Sequence, residues 1–150
     1  MEITDNEETF KILYNSCHGG WGISNKTIEL YNSKMKQIDD SFIPLTKYDK
    51  HKITRDDTIL IEIFEQYPDD FGGHFSKISM EVLPKKFKNY YYISEYDGNE
   101  TIHINIDKYN YDILKNKIKE ILLKNIKNDD KIIELTNVCE TSEYKYIYED

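Results

Sequence analysis

The chain has no alanine and one arginine, Arg55, among its 150 residues, and it leans instead on Lys, Asn, Ile and Tyr, the usage an AT-rich genome encodes. Cysteine is scarce. Cys17 and Cys139 stand far apart, which excludes a disulfide-stapled secreted scaffold. No apolar run approaches the roughly 20 residues that a membrane-spanning helix needs. Met1 to Glu8 is acidic and polar, so no secretory leader is expected there. Basic residues are in deficit, 20 against 28 acids, and the net charge of −8 has the wrong sign for general binding to a phosphate backbone. The expected setting is cytoplasmic, with no membrane and no nucleic-acid partner. For a viral chain that means the host cytoplasm or the virion interior.

Thirteen tyrosines and six phenylalanines are more than a disordered chain carries, and the length suffices for a real core. No internal repeat or low-complexity linker interrupts the sequence. One domain is expected over 1–150, with a polar tail over 1–8 and a C-terminal segment, 129–150, whose strands at 132–138 and 144–148 are only suggested by pattern. Three prolines punctuate the chain. Pro44 sits in an irregular stretch over 39–51, Pro68 stops a helix, and Pro84 ends a strand.

Phe10 to Tyr14 reads as a strand. Ser24 is an N-cap for a helix over 25–37, with Ile23 and Ile28 placed as a hydrophobic staple and Tyr31, Met35 and Ile38 continuing the stripe. A second helix is expected from Thr54, because Thr54-Arg55-Asp56-Asp57 resembles a capping box. Ile59, Leu60, Ile63, Phe64 and Tyr67 would be its buried stripe. A glycine-bearing loop over 69–76 leads to a strand with Ile78, Met80 and Val82 on one face. Asp97-Gly98 suits a type I′ turn between strands 90–96 and 99–106. That turn sets Tyr91 against Ile104, Ile93 against Ile102 and Glu95 against Glu100. Tyr111 to Ile126 reads as an amphipathic helix with Leu114, Ile118, Ile121 and Leu122 in its stripe. The fold class is therefore α+β, in the order β-α-α-β-β-β-α, with a mostly antiparallel sheet packed by two or three helices.

The densest signal is Asn15-Ser16-Cys17-His18-Gly19-Gly20-Trp21-Gly22-Ile23-Ser24, which holds half of the glycines and the only tryptophan. Two readings stand. The loop binds an anion at the start of the following helix, or it is a tight connection that folds Trp21 onto the core. It matches neither a Walker loop nor a dinucleotide fingerprint. Cys17 and His18 are adjacent on extended chain and point to opposite faces, so a nucleophile at Cys17 would need a distant base such as His74 or His103. The spacing of His18, His51, His74 and His103 matches no metal motif, and no metal or cofactor is expected. Lys85, Lys86 and Lys88 ahead of Tyr90-Tyr91-Tyr92 form the one basic strip with aromatic neighbours. It is read either as a stacking surface for nucleic acid or as solvated lysines entering a strand.

The paired Glu95 and Glu100 put like charges face to face. A pair of this kind serves acid–base chemistry or lies solvated at a hairpin end. Arg55 offers a bidentate fork for a carboxylate, and it is expected within salt-bridge reach of Glu95, Asp97 or Glu100.

The loop resembles a motif of uncharacterised bacterial, phage and large-DNA-virus proteins, Asn-x-Cys-aromatic-Gly-Gly-aromatic-x-Leu-Ser. His18 replaces its first aromatic residue and Ile23 its leucine. The Arg55-Asp56 helix start and the Tyr96-Asp97-Gly98-Asn99-Glu100 turn are also similar, so the likeness runs over about 10–104. It carries no known activity. It implies that the loop, Arg55 and the hairpin turn form one constellation. The candidate binding residues are accordingly Asn15, His18, Gly19, Gly20, Trp21, Arg55, Glu95, Asp97 and Glu100. The expected role is a viral or virus-like interaction module that engages a host protein or a small anionic ligand there. The alternative is a small hydrolase or transferase using the paired glutamates or a Cys/His set. Self-association through 144–148 is a further expectation.

Overall fold

The computed structural model of the chain describes residues 8–125. The chain divides into two units, Met1–Ile104 and Asn105–Asp150. Residues 1–7 of the expected tail over 1–8, Ile126 and the suggested strands at 132–138 and 144–148 lie outside the described residues.

In the first unit, β1 (Thr9–Asn15) pairs antiparallel with β2 (Ile78–Pro84), from Thr9 opposite Pro84 to Asn15 opposite Ile78. Ile12 and Leu13 are both fully buried. Neighbours on a strand face opposite ways, so β1 is covered on both sides. Leu13 joins the helical core, while the ring of Phe10, on the other face, lies 5.7 Å from that of Tyr91. On β2, Ile78 and Met80 pack against the core as their alternation indicates. Val82 does not. It is exposed, while Leu83 and Pro84 at the end of the strand are buried.

α1 (Asn25–Ile38) starts where its cap dictates. The Ser24 hydroxyl accepts the Thr27 N–H at 3.1 Å, and Ile23 and Ile28 are both buried. Tyr31 is buried behind them and donates its hydroxyl to Asp57 at 3.1 Å. Ile38 departs from the expected stripe: it is exposed, since the last turn runs past the core. α2 (Thr58–Gln66) begins later than the capping-box reading placed it. Asp57, not Thr54, is the cap, and its carboxylate accepts the Leu60 N–H at 2.8 Å. Thr54 to Asp57 is a turn closed by a bond from the Asp57 N–H to the Thr54 carbonyl. Asp is the better cap acceptor, and four residues later the chain is already committed to the core through Leu60 and Ile61. Pro68 does end α2, and it also opens a single helical turn, α3 (Pro68–Phe71), as proline at N1 favours. The fully buried Phe71 meets Phe64 edge-on at 5.2 Å.

β3 (Tyr91–Tyr96) and β4 (Asn99–Ile104) form the hairpin in the register its turn predicts, including Glu95 opposite Glu100. Asp97 and Gly98 have φ of 49° and 81°, the double left-handed signature of a type I′ turn. The fold is α+β, and its strands are antiparallel throughout the described residues. They make two two-stranded sheets, β1–β2 and β3–β4.

In the second unit, α4 (Ile106–Asn125) is the one described element. It starts more than a turn before the expected Tyr111. The side-chain oxygen of Asn105 accepts the Lys108 N–H at 2.9 Å, so β4 ends at Ile104 and Asn105 acts as a helix cap instead of continuing the strand. No helix among the described residues is long and apolar enough to cross a membrane.

Candidate functional site

The junction of three loops begins at Asn15. It closes β1, is fully buried, and its side chain ties together three parts of the chain. Nδ2 donates to the carbonyls of Cys17 (2.5 Å) and Gly98 (2.7 Å). Oδ1 accepts the Lys77 N–H at 2.9 Å and the Cys17 thiol at 3.4 Å. The glycine loop, the hairpin turn and the 72–77 loop thus share one amide group.

Glycine lets those backbones approach. A Cβ at Gly98 would lie 2.5 Å from the His18 carbonyl oxygen and 2.6 Å from the Gly20 nitrogen. A Cβ at Gly19 would lie 1.5 Å from the Phe75 carbonyl oxygen. The glycine loop is therefore wedged between the hairpin turn and Phe75, with no room for a side chain at either contact.

Arg55 and Glu100 lock the same junction from below. Arg55 Nη2 donates to Glu100 Oε1 at 2.7 Å, and Nη1 donates to Oε2 at 3.3 Å. Oε2 also accepts the Asn15 N–H at 2.7 Å. The Arg55 carbonyl accepts the Leu13 N–H at 2.9 Å, which fixes the residue at its backbone too. The guanidinium stacks on Trp21, its central carbon 3.3 Å from the ring centroid. Burial draws the Arg55 guanidinium below its ordinary pKa, and the Glu100 carboxylate opposes that shift.

The like-charge conflict of Glu95 and Glu100 is thus resolved by giving the two acids different partners. Glu100 is buried against Arg55, whereas Glu95 stays exposed and caps the turn by accepting the Gly98 N–H.

The nine expected site residues fall into two sets. Asn15, Trp21, Arg55 and Glu100 converge on the interior bond network, with Gly19 packed on the Phe75 backbone and Gly20 on the hairpin side. His18, Glu95 and Asp97 are exposed on the outer side, where His18 Nδ1 lies 3.7 Å from Asp97 Oδ2. Sequence reasoning missed two contributors, Phe75 and Tyr96. Phe75 supplies the carbonyl under Gly19 and also accepts the Cys17 thiol at 3.2 Å. Tyr96 and Phe75 are the large exposed side chains beside the junction, at 83% and 74% exposure. The second glycine pair, Gly72-Gly73, was the available signal for that loop.

The helix start behind the glycine loop faces carbonyls. The Ser24 N–H and the Thr27 hydroxyl donate to Phe71 O, and the Ser24 hydroxyl donates to Asp70 O. The Thr27 N–H of the first turn is taken by the Ser24 hydroxyl. Cys17 bonds to Asn15 and Phe75, while His103 pairs with the Ser94 hydroxyl at 2.7 Å and stacks on Tyr92. His74 packs against Phe75. In the basic strip, Lys85 bonds Glu8 at 2.7 Å and Lys88 lies 3.5 Å from Asp56. Among the described residues, no group of three His, Cys, Asp or Glu side chains is arranged to hold a metal ion. A shallow depression of about 290 Å³ lies elsewhere, lined by Asn25, Ile28, Glu29, Asn32, Leu45 and Lys47.

No protein-family model, curated protein or solved structure matches this chain.

Proposed function

We propose that the protein is an interaction module that recognises another protein through the outer side of the loop junction, in an intracellular setting. The observation that carries this reading is the pairing of a rigid base with exposed aromatic side chains. Beneath the surface, Asn15, Glu100 and Arg55 hold three loops through direct bonds. Above it, Phe75 and Tyr96 extend into solvent beside His18 and Asp97. Aromatic residues are enriched in the contact cores of protein interfaces, and a preorganised surface loses less entropy on binding. The motif resemblance supports treating the loop, Arg55 and the turn as a single unit. A small anionic ligand has less support, because the carbonyls of Asp70 and Phe71 lie against the Ser24 and Thr27 hydroxyls at the helix start. A hydrolase or transferase also has less support. Both Glu100 oxygens serve Arg55, and the Cys17 thiol bonds to Asn15 and Phe75.

The test compares wild type with a Phe75→Ser/Tyr96→Ser double variant. In-cell crosslinking is expected to capture a partner with wild type and lose it with the variant, while both melt at the same temperature. A thermal-shift screen with nucleotides, divalent metals and phosphorylated metabolites runs alongside. A ligand that binds the native state raises the melting temperature by mass action. A clear shift with one of those compounds, or a partner retained by the double variant, would overturn the reading.

A further inference from the structure

The depression of about 290 Å³ is formed by α1 and the loop that follows it. Its helix side is one face, because Asn25, Ile28, Glu29 and Asn32 stand three, four and seven residues apart. Its loop side is pinned by Asn32. That side-chain amide donates to the Leu45 carbonyl and accepts the Leu45 N–H, both at 2.8 Å. Ile28 is buried and Leu45 half-buried, and together they supply the apolar surface. Two opposite charges complete the lining. The three lysines of α1 are each paired with an acid, Lys26 with Asp70, Lys34 with Glu62 and Lys36 with Asp40. Its single acid, Glu29, is exposed and has no salt-bridge partner among the described residues. On the loop, Lys52 takes Asp49, whereas Lys47 has the ring of Tyr48, 5.0 Å from its Nζ, and no acid. Glu29 and Lys47 do not reach each other. An unpaired carboxylate and an unpaired ammonium therefore line one depression together with aliphatic surface.

We propose that this depression binds a free α-amino acid with an aliphatic side chain. Glu29 takes the ammonium, Lys47 the carboxylate, and Ile28 and Leu45 the side chain. A zwitterion meets both charges at once, which a simple anion or cation does not, and each contact is a charge-assisted hydrogen bond. The volume stands at the lower end of the roughly 300–1,000 Å³ that small-molecule sites span, so it suits one small metabolite. The lining residues are separate from those of the loop junction, and the two sites stand or fall independently.

The test titrates the full chain with three probes and follows the methyl NMR signals of Ile28 and Leu45. The probes are L-leucine, L-leucinamide, which lacks the carboxylate, and 4-methylpentanoate, which lacks the ammonium. Leucine is expected to shift both signals saturably, with a Kd on the order of 1 mM. Each truncated probe should bind about tenfold more weakly, as the loss of one charge-assisted contact implies. Glu29→Gln should weaken leucine about tenfold and leave 4-methylpentanoate unchanged. Lys47→Gln should weaken leucine by a similar factor and leave leucinamide unchanged. Both side chains are exposed, so both variants should melt with wild type. An unsaturated response to leucine at roughly 30 mM, far above the expected Kd, would overturn the proposal. So would equal binding of the three probes, or variants that bind leucine as wild type does.

Discussion

Asn15 and Glu100, on the inner side of the loop junction, are buried and bonded on every side. Phe75 and Tyr96, on the outer side, are the most exposed large side chains beside it. The chemistry of the two sets differs because their solvent differs. A buried amide or carboxylate must find its partners within the protein, since an unmet buried polar group costs on the order of 1–3 kcal/mol. No buried side-chain nitrogen or oxygen among the described residues lacks a hydrogen-bond partner. An exposed aromatic ring carries no such obligation, and it is free to meet another surface. The inner side therefore fixes shape and the outer side can vary in what it recognises.

The largest effects should come from the inner side. Gly98→Ala and Gly19→Ala drive a Cβ into backbone atoms, and Gly98 also needs positive φ. Each should lower stability by roughly 3 kcal/mol or more, read as a fall in the denaturation midpoint. Glu100→Ala should follow closely, at about 3 kcal/mol, because it strands Arg55 and the Asn15 N–H. Glu100→Gln keeps one acceptor for that N–H and should lose less. If the two Glu100 variants melt alike, the carboxylate is not organising the junction.

Arg55→Lys comes next, at about 1–2 kcal/mol, since an ammonium can neither bridge both oxygens nor stack flat on Trp21. A shift in Trp21 fluorescence should accompany it.

A smaller, pH-dependent effect sharpens the contrast elsewhere in the core. Burial, reinforced by Asp57, pushes the Tyr31 hydroxyl up to about 12. The unfolded tyrosine ionises near its ordinary value of 10, so the unfolded state releases its proton first. Stability should be level below pH 10 and fall as pH rises from 10 towards 12. Tyr31→Phe should flatten that fall, and urea midpoints across the range would show it.

The smallest effect belongs to the outer side. Phe75→Ser with Tyr96→Ser should change stability by no more than about 0.5 kcal/mol. A large loss would mean that the outer rings also hold the fold, and the division between the two sides would collapse.

Much of this was legible residue by residue. Ser24 with Ile23 and Ile28 marks the start of α1, and Asp97-Gly98 sets the β3–β4 register down to Glu95 opposite Glu100. Arg55 was expected to meet an acid of that turn, and it meets Glu100. The starts of α2 and α4 were misplaced. In each, a second cap residue, Asp57 or Asn105, competed with an alternative local signal, and the side-chain bond decided between them. Phe75 was invisible as a junction residue because its part is played by a backbone carbonyl, which leaves no trace in residue type.

By itself, the sequence determined the α+β class, the capped first helix and the hairpin with its two facing glutamates. Turn dihedrals, caps and alternation act over a few residues and are written in their identities. Only the tertiary structure decided which glutamate is buried, that the strands separate into two sheets, and that the glycine loop is gripped by backbone from both sides. Those outcomes depend on groups dozens of residues apart competing for the same space and the same hydrogen bonds, as Asn15 does in joining Cys17, Lys77 and Gly98.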